Sequence, residues 1–158
     1  MRSKRINRKE IEKDPIYQSE LVTKLTNRVM TQGKKTIAQN HVYKAFEIIK
    51  EKTKKDPLEV FEKALENVKP QMEVRARRVG GAAYQVPMPV RGQRKETLAV
   101  RWIIKAAQAR PNKTYHHFYE KLASEIMDAS KKEGDAIKRK EDTQKMAEAN
   151  KAFAHFRW

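Results

Sequence analysis

Residues 72–90 read Met72-Glu73-Val74-Arg75-Ala76-Arg77-Arg78-Val79-Gly80-Gly81-Ala82-Ala83-Tyr84-Gln85-Val86-Pro87-Met88-Pro89-Val90. Over this stretch the apolar period falls to two. Val74 and Ala76 alternate with Arg75 and Arg77, and then Tyr84, Val86, Met88 and Val90 alternate with Gln85, Pro87 and Pro89. That period marks extended chain. Gly80 and Gly81, between the two runs, supply the positive φ angles that a hairpin loop needs. Residues of one parity in a strand direct their N–H groups toward the same neighbour, and proline has no N–H to give. Pro87 and Pro89 share a parity, so the second strand pairs on one side only. The stretch predicts an isolated two-stranded ribbon. A ribbon of that kind is marginal alone, so it must rest on helices or on a partner.

On either side of the ribbon the period is helical. Leu21, Val22, Leu25, Val29 and Met30 predict a helix over 20–32, with Gly33 as its stop. Ala38, Val42, Ala45, Phe46 and Ile49 predict a second over 37–53. A third starts where Asp56 caps, Pro57 takes the first helical position and Glu59 stands three residues after the cap. Its stripe is Leu58, Phe61, Leu65 and Val68, ending before Pro70. After Arg91-Gly92, residues Leu98, Ala99, Trp102, Ile103, Ala106 and Ala109 form an apolar face, with Arg94, Arg101 and Lys105 on the opposite stripe. Phe118, Leu122, Ile126 and Ala129 mark a fifth helix. The segment from Asp135 to about Ala152 is helix-prone but poorly striped, and is expected to project from the body or lie on a partner. The fold class is mainly α: one domain over 1–158, with about six helices and one protruding two-stranded β-hairpin.

Composition narrows the function. The 158 residues carry 36 Lys plus Arg against 20 Asp plus Glu, a net charge of +16. With 39% apolar and 35% charged residues, the chain is too apolar for wholesale disorder and seeks polyanions, nucleic acid first. It has no cysteine, so neither a disulfide framework nor a thiol nucleophile is available. No apolar run reaches the roughly 18 residues of a membrane span. The basic start, Met1-Arg2-Ser3-Lys4-Arg5-Ile6-Asn7-Arg8-Lys9, leads into no apolar region, which argues against secretion, and Glu10, Glu12 and Asp14 follow too quickly for a transit peptide. Residues 1–13 read as a basic, flexible arm.

Candidate chemistry fails on spacing. Gly33-Lys34-Lys35-Thr36 looks like the end of a phosphate-binding loop. That loop needs Gly where Arg28 stands and Ser or Thr where Lys35 stands. His116 and His117 are adjacent, and neighbours on a helix diverge by about 100° and share no metal ion. Acidic residues interleave with Lys and Arg as a solvated face. No catalytic arrangement, cofactor site or metal site emerges.

The cations, by contrast, are unevenly placed. Residues 1–13 hold six basic and two acidic residues, and residues 69–95 hold seven and one. Guanidinium groups fork onto phosphate oxygens, and a narrow ribbon enters grooves that a helical body does not. Few aromatics are placed to stack on bases, Tyr84 best of them, so backbone and shape recognition of a folded nucleic acid is expected. RNA is favoured over DNA only by exclusion, because no helix-turn-helix, zinc-finger or basic-zipper signature is present. A DNA-compacting protein and a protein-binding scaffold remain alternatives at this point.

Two longer motifs then carry a resemblance: Val79-Gly80-Gly81-Ala82-Ala83-Tyr84-Gln85-Val86-Pro87, and Met146-Ala147-Glu148-Ala149-Asn150-Lys151-Ala152-Phe153-Ala154-His155-Phe156-Arg157-Trp158. With Asp14-Pro15, Gly33-Lys34-Lys35, Ala64-Leu65-Glu66-Asn67-Val68-Lys69-Pro70 and Ala99-Val100-Arg101-Trp102-Ile103, they resemble, in order from about residue 5, the small-subunit ribosomal protein seven family. The resemblance implies a structural, non-enzymatic protein that binds small-subunit rRNA in the head (3′ major domain) and nucleates its assembly. It implies rRNA contact at Lys4, Arg5, Arg8, Lys34, Lys35, Arg75, Arg77, Arg78, Arg91, Arg94, Arg101 and Lys105. A tRNA-side hairpin tip falls on Gly80, Gly81, Ala82, Ala83 and Tyr84, near the exit-site tRNA and the mRNA exit path. Small-subunit proteins nine and eleven are the implied neighbours, in a cytoplasmic or organellar ribosome and with no membrane. Two departures stand out. Ala82-Ala83 lacks a hydroxyl common before the tyrosine, and Arg110-Pro111-Asn112-Lys113-Thr114-Tyr115-His116-His117-Phe118 is unusually aromatic and basic, read as a core variant with an added RNA contact as the alternative.

Overall fold

The computed structural model describes residues 11–156. Among them the chain runs α1 (Glu20–Val29), α2 (Lys35–Thr53), α3 (Pro57–Val68), β1 (Met72–Val79), β2 (Ala82–Pro89), α4 (Gln93–Ala109), α5 (Phe118–Ser130) and α6 (Asp135–Ala149), then a 3₁₀ helix over Lys151–Phe156. The protein is mainly helical with one antiparallel β-hairpin, as the periodicity predicts.

The core forms around α5, which packs on α2, α3 and α4. Phe46, Phe61, Leu25, Ile49, Leu65, Ile103, Leu122 and Ile126 are its largest fully buried apolar side chains. Each contributes roughly 1.5–3 kcal/mol by leaving water. The local signals act as expected at α3, where Asp56 accepts the Leu58 N–H at 3.1 Å and Pro57 takes the first position. Elsewhere the boundaries move. α1 ends at Val29 rather than near residue 32, because Met30 already leaves helical geometry at ψ 131°, and Gln32 and Gly33 then turn to positive φ, 53° and 74°. That turn also lets α2 begin at Lys35.

Residues 11–19 are fastened to α2 by a carboxylate. Asp14, 3% exposed, accepts the N–H groups of Ile16 and Tyr17 at 3.2 Å and the Tyr43 hydroxyl at 2.9 Å. Burial, and then the Asp14 hydrogen bond, push the Tyr43 phenol up to about 12.

The hairpin closes on Gly80 and Gly81, at φ 57° and 89°, with Val79 opposite Ala82. Met72 pairs with Pro89 and Val74 with Pro87, so the prolines share one parity and face away from the ladder. Two expectations need correction. The last helix does not project: α6 packs on β1, α4, α3 and α5, burying Ala136, Ile137, Thr143 and Ala147, while Lys140 Nζ donates to the Asn67 carbonyl at 2.6 Å. On α4 the buried face carries Val100, Ile104 and Ala107 beside Leu98, Ala99, Ile103 and Ala106, and Ala109 is exposed.

Candidate nucleic-acid interface

The register of the hairpin decides which side chains share a face. Arg75 lies opposite Val86, Arg77 opposite Tyr84 and Glu73 opposite Met88. Cross-strand partners point the same way, so Arg75 and Arg77 stand on the face that carries Val86, Tyr84 and Met88 of β2, and Arg78, opposite Ala83, stands on the other. Glu73 sits at the base of this face and is 8% exposed. Its carboxylate accepts from Nη2 of Arg75 at 2.5 Å, from Nη2 of Arg94 at 2.7 Å and from Nε of Arg94 at 2.8 Å. Burial works against the charged carboxyl, but the hydrogen bonds from Arg94 and then Arg75 outweigh it and hold the Glu73 pKa below the ordinary glutamate value. The Arg94 pKa is raised, chiefly by its hydrogen bond to Glu73. One carboxylate thus fixes two half-exposed guanidinium groups, one from the ribbon and one from α4. Arg91, Met88 and Pro89 complete an open groove beside them.

From Arg94 the positive stripe continues along α4. Arg101 and Lys105 follow at seven and then four residues, so the three fall within about 40° of one another around the helix. They line a second groove with Trp102, and from α6 come Arg139 and Asp135. Arg101 is half-buried, and its Nε has no hydrogen-bond partner among the described residues.

The sequence-predicted residues therefore divide. Arg75, Arg91 and Arg94 meet at the hairpin base, with Arg101 and Lys105 on the same helix stripe as Arg94. Arg77 and Arg78 lie further out on β1, opposite Tyr84 and Ala83. Lys34 and Lys35 begin α2, where both are exposed. Lys4, Arg5 and Arg8 lie outside the described residues. At the tip, Gly80, Gly81, Ala82 and Ala83 are exposed. Tyr84 is half-buried instead, its ring 5.2 Å from those of both Phe153 and Phe156 in the 3₁₀ helix. Sequence reasoning missed Glu73 as organiser, although it is the one acid in the basic segment. It also missed Arg139, which only the packing of α6 brings to α4.

The sequence profile described as ribosomal protein S7p/S5e matches residues 1–151. The chain belongs to that family. It is 60% identical over 158 residues to the small ribosomal subunit protein uS7 of Thermotoga neapolitana, with all of both chains covered. It is 58% identical over 153 residues to the protein of the same name from Pelotomaculum thermopropionicum, covering 97% of this chain and 96% of that one. As an S7p/S5e protein it is a structural, non-enzymatic constituent of the small ribosomal subunit, located in the ribosome. Among the described residues no helix is long and apolar enough to cross a membrane.

The unusual loop of this S7p/S5e protein is tied to α5 through Arg110 and Tyr115. Arg110, at the end of α4, donates to Glu125 at 2.8 Å, to Ser124 at 2.9 Å and to Asp128, and the Tyr115 hydroxyl meets Ser124 at 2.8 Å. Glu125 is 1% exposed and its other oxygen accepts the Ala136 N–H at 3.0 Å. Lys121 donates to the Arg110 carbonyl and to Asn112, both at 2.6 Å. Arg110 and Tyr115, both half-buried, anchor this half of the loop to buried Ser124 and Glu125, while Pro111 to Thr114 stay exposed. His116, His117 and Tyr119 are not part of that network.

Proposed function

We propose that this chain is a primary rRNA-binding protein that nucleates the head of the small subunit, in the 3′ major domain. The observation that carries the reading is the Glu73 clamp. It orders Arg75 and Arg94 at the hairpin base, continuous with Arg101 and Lys105 on α4. Ordered guanidinium groups on a ribbon and an adjoining helix suit phosphates presented by a folded junction, where shape rather than base identity is read. On this reading the chain is a single RNA-binding domain over 1–158. Residues 1–13 form an arm that adds Lys4, Arg5 and Arg8, residues 72–90 form the hairpin, and residues 135–158 form the last helix and tail. Lys34, Lys35, Arg77, Arg78 and Arg91 complete the rRNA surface. The exposed tip, Gly80 to Ala83 with Tyr84 behind it, lies toward the exit-site tRNA and the mRNA exit path, with small-subunit proteins nine and eleven as neighbours, in a cytoplasmic ribosome.

The test is the salt dependence of binding to a head-domain rRNA fragment. Each neutralised phosphate contributes roughly 0.7–0.9 to the log–log slope. Arg75→Ala/Arg77→Ala should flatten the slope by up to two such increments. An unchanged slope removes the hairpin from the interface, and equal competition by duplex DNA overturns the choice of RNA.

A further inference from the structure

A second basic surface is built where α2 meets the start of α5, and it uses none of the hairpin residues. The rings of His117 and Tyr119 stack with centroids 5.1 Å apart and planes 12° apart. Tyr119 in turn stacks with His41 of α2 at 6.0 Å and 27°, and Phe118 meets His41 edge-on at 5.9 Å. Lys44 Nζ lies over the Tyr119 ring, 5.5 Å from its centroid. His117 and Lys44 are exposed, and Tyr119, Phe118 and His41 are half-buried. Rings stacked in this way inside a core are packing. On an open surface they are faces available to another flat ring.

His41 also lines an adjoining groove of about 230 Å³ with Val29, Lys34, Ile37, Ala38 and Phe118. No carboxylate belongs to the lining. Ile37 is 52% exposed, and His41 Nδ1 is buried with no hydrogen-bond partner among the described residues. α2 opens beside this groove with no side-chain cap and no acid in its first turn, which leaves its positive end uncompensated. A volume of this size lies below the roughly 300–1,000 Å³ of sites that take drug-sized ligands, so it fits a single ring system.

Flat rings, flanking lysines and a groove lining free of acids suit an unpaired base and its phosphates, and Glu120, beside the rings, accepts the His116 and His117 N–H groups at 2.9 and 3.2 Å. We propose that this surface binds an unpaired RNA base, stacked on the His41–Tyr119–His117 rings beside the groove, with Lys34, Lys35 and Lys44 on the flanking phosphates. The inference presumes an RNA-binding protein, as proposed above, and extends its surface from Lys34 and Lys35 onto rings away from the hairpin. A protein segment is the competing occupant, and it would gain nothing from a base.

The experiment uses the full chain and two single-stranded RNA octamers, one carrying 2-aminopurine and a twin that is abasic at that position. The native protein should quench the 2-aminopurine and prefer the base-bearing RNA by about 5- to 100-fold, the range one stacked base carries. His117→Ala, at an exposed position, and Tyr119→Leu should each remove most of that preference while leaving abasic RNA bound as before. Arg75→Ala/Arg94→Ala should keep the quench and lose affinity for the rRNA junction. Equal affinity for the two octamers, or a preference that survives in both ring variants, overturns this proposal. If the junction is still bound with a steep salt slope, the hairpin interface stands and only the stacking site fails. No binding to any RNA overturns both.

Discussion

Replacing Glu73 by Gln tests whether one carboxylate organises the hairpin base. Native Glu73 holds Arg94 at 2.7 and 2.8 Å and Arg75 at 2.5 Å. Gln offers a single acceptor oxygen and turns an NH₂ toward guanidinium donors, so at least one arginine loses its partner. A hydrogen bond to a charged group contributes about 1.5–3 kcal/mol. Both arginines are nearly half exposed, with side chains 46% and 48% accessible, and exposed ion pairs are screened to about 1 kcal/mol or less. The discounted cost of E73Q is about 1–2 kcal/mol, or about 2–8 °C in Tm for a chain of this length. Its pH dependence has a definite sign. The folded pKa of Glu73 is depressed, so its contribution is complete above the unfolded value of about 4.3 and disappears as pH falls through the lower folded value. The urea midpoints of native protein and E73Q should therefore differ by a constant amount from pH 7 to pH 5 and converge below about pH 4. In RNA binding two effects oppose. Losing the carboxylate adds one net positive charge, which changes affinity by about threefold across a fourfold change in salt. Each arginine released from its partner costs about 0.5–1.5 kcal/mol to order again on binding. The second effect wins, so affinity should fall while the salt slope steepens. A variant as stable as native protein at pH 7, or one that binds rRNA more tightly at every salt concentration, would refute this reasoning.

Breaking the Arg110 network should be costlier, because Glu125 is fully enclosed: Arg110→Ala leaves a buried carboxylate with only the Ala136 N–H and should lose about 3–5 kcal/mol in urea unfolding. Tyr43→Phe removes a hydroxyl from buried Asp14 and should cost about 1.5–3 kcal/mol. The raised phenol pKa means that this stabilisation is complete below about pH 10 and is lost as pH rises through about 12; burial raises Tyr17 as well, so absorbance titration of phenolate should show one late-titrating tyrosine fewer in the variant than in native protein. Deleting Gly80 to Ala83 should leave the rRNA salt slope intact and disturb tRNA exit or reading-frame maintenance in reconstituted ribosomes, and loss of rRNA binding would contradict the division between hairpin base and tip.

The hairpin was legible because its signals are stereochemical. Two glycines must turn and two prolines of one parity must face outward, whatever surrounds them. α3 was legible for the same reason, through Asp56 and Pro57. The packing of α6 was hidden because three of the residues it buries are Ala136, Thr143 and Ala147, too small or too polar to draw an apolar stripe. Lys121, Ser124 and Glu125 read as the polar side of α5 yet are buried, since their partners at Arg110, Asn112 and Ala136 come from other segments. The cations of the interface could be counted from sequence. Their coordination by Glu73 could not, because Arg94 stands 21 residues away and a lone acid in a basic run reads as dilution.

That coordination also bears on what the buried network is for. A buried ion pair is poor evidence of stability in itself, since an apolar replacement often does as well. The Arg110 network joins the end of α4 to α5, through Glu125 and Asp128, and Glu125 also holds the Ala136 N–H in the first turn of α6. An apolar cluster would hold these helices together without fixing their rotation, whereas the directed hydrogen bonds of a guanidinium do fix it. The orientation of α4 sets where Arg94, Arg101 and Lys105 point, and that of α6 sets how close Arg139 comes. A protein that reads shape needs its cations at fixed separations, because phosphates on a folded junction do not rearrange to meet them. The internal carboxylates lower the net charge of +16 below what it would otherwise be. Each of them also turns a mobile positive charge, or the helix that carries it, into a positioned one.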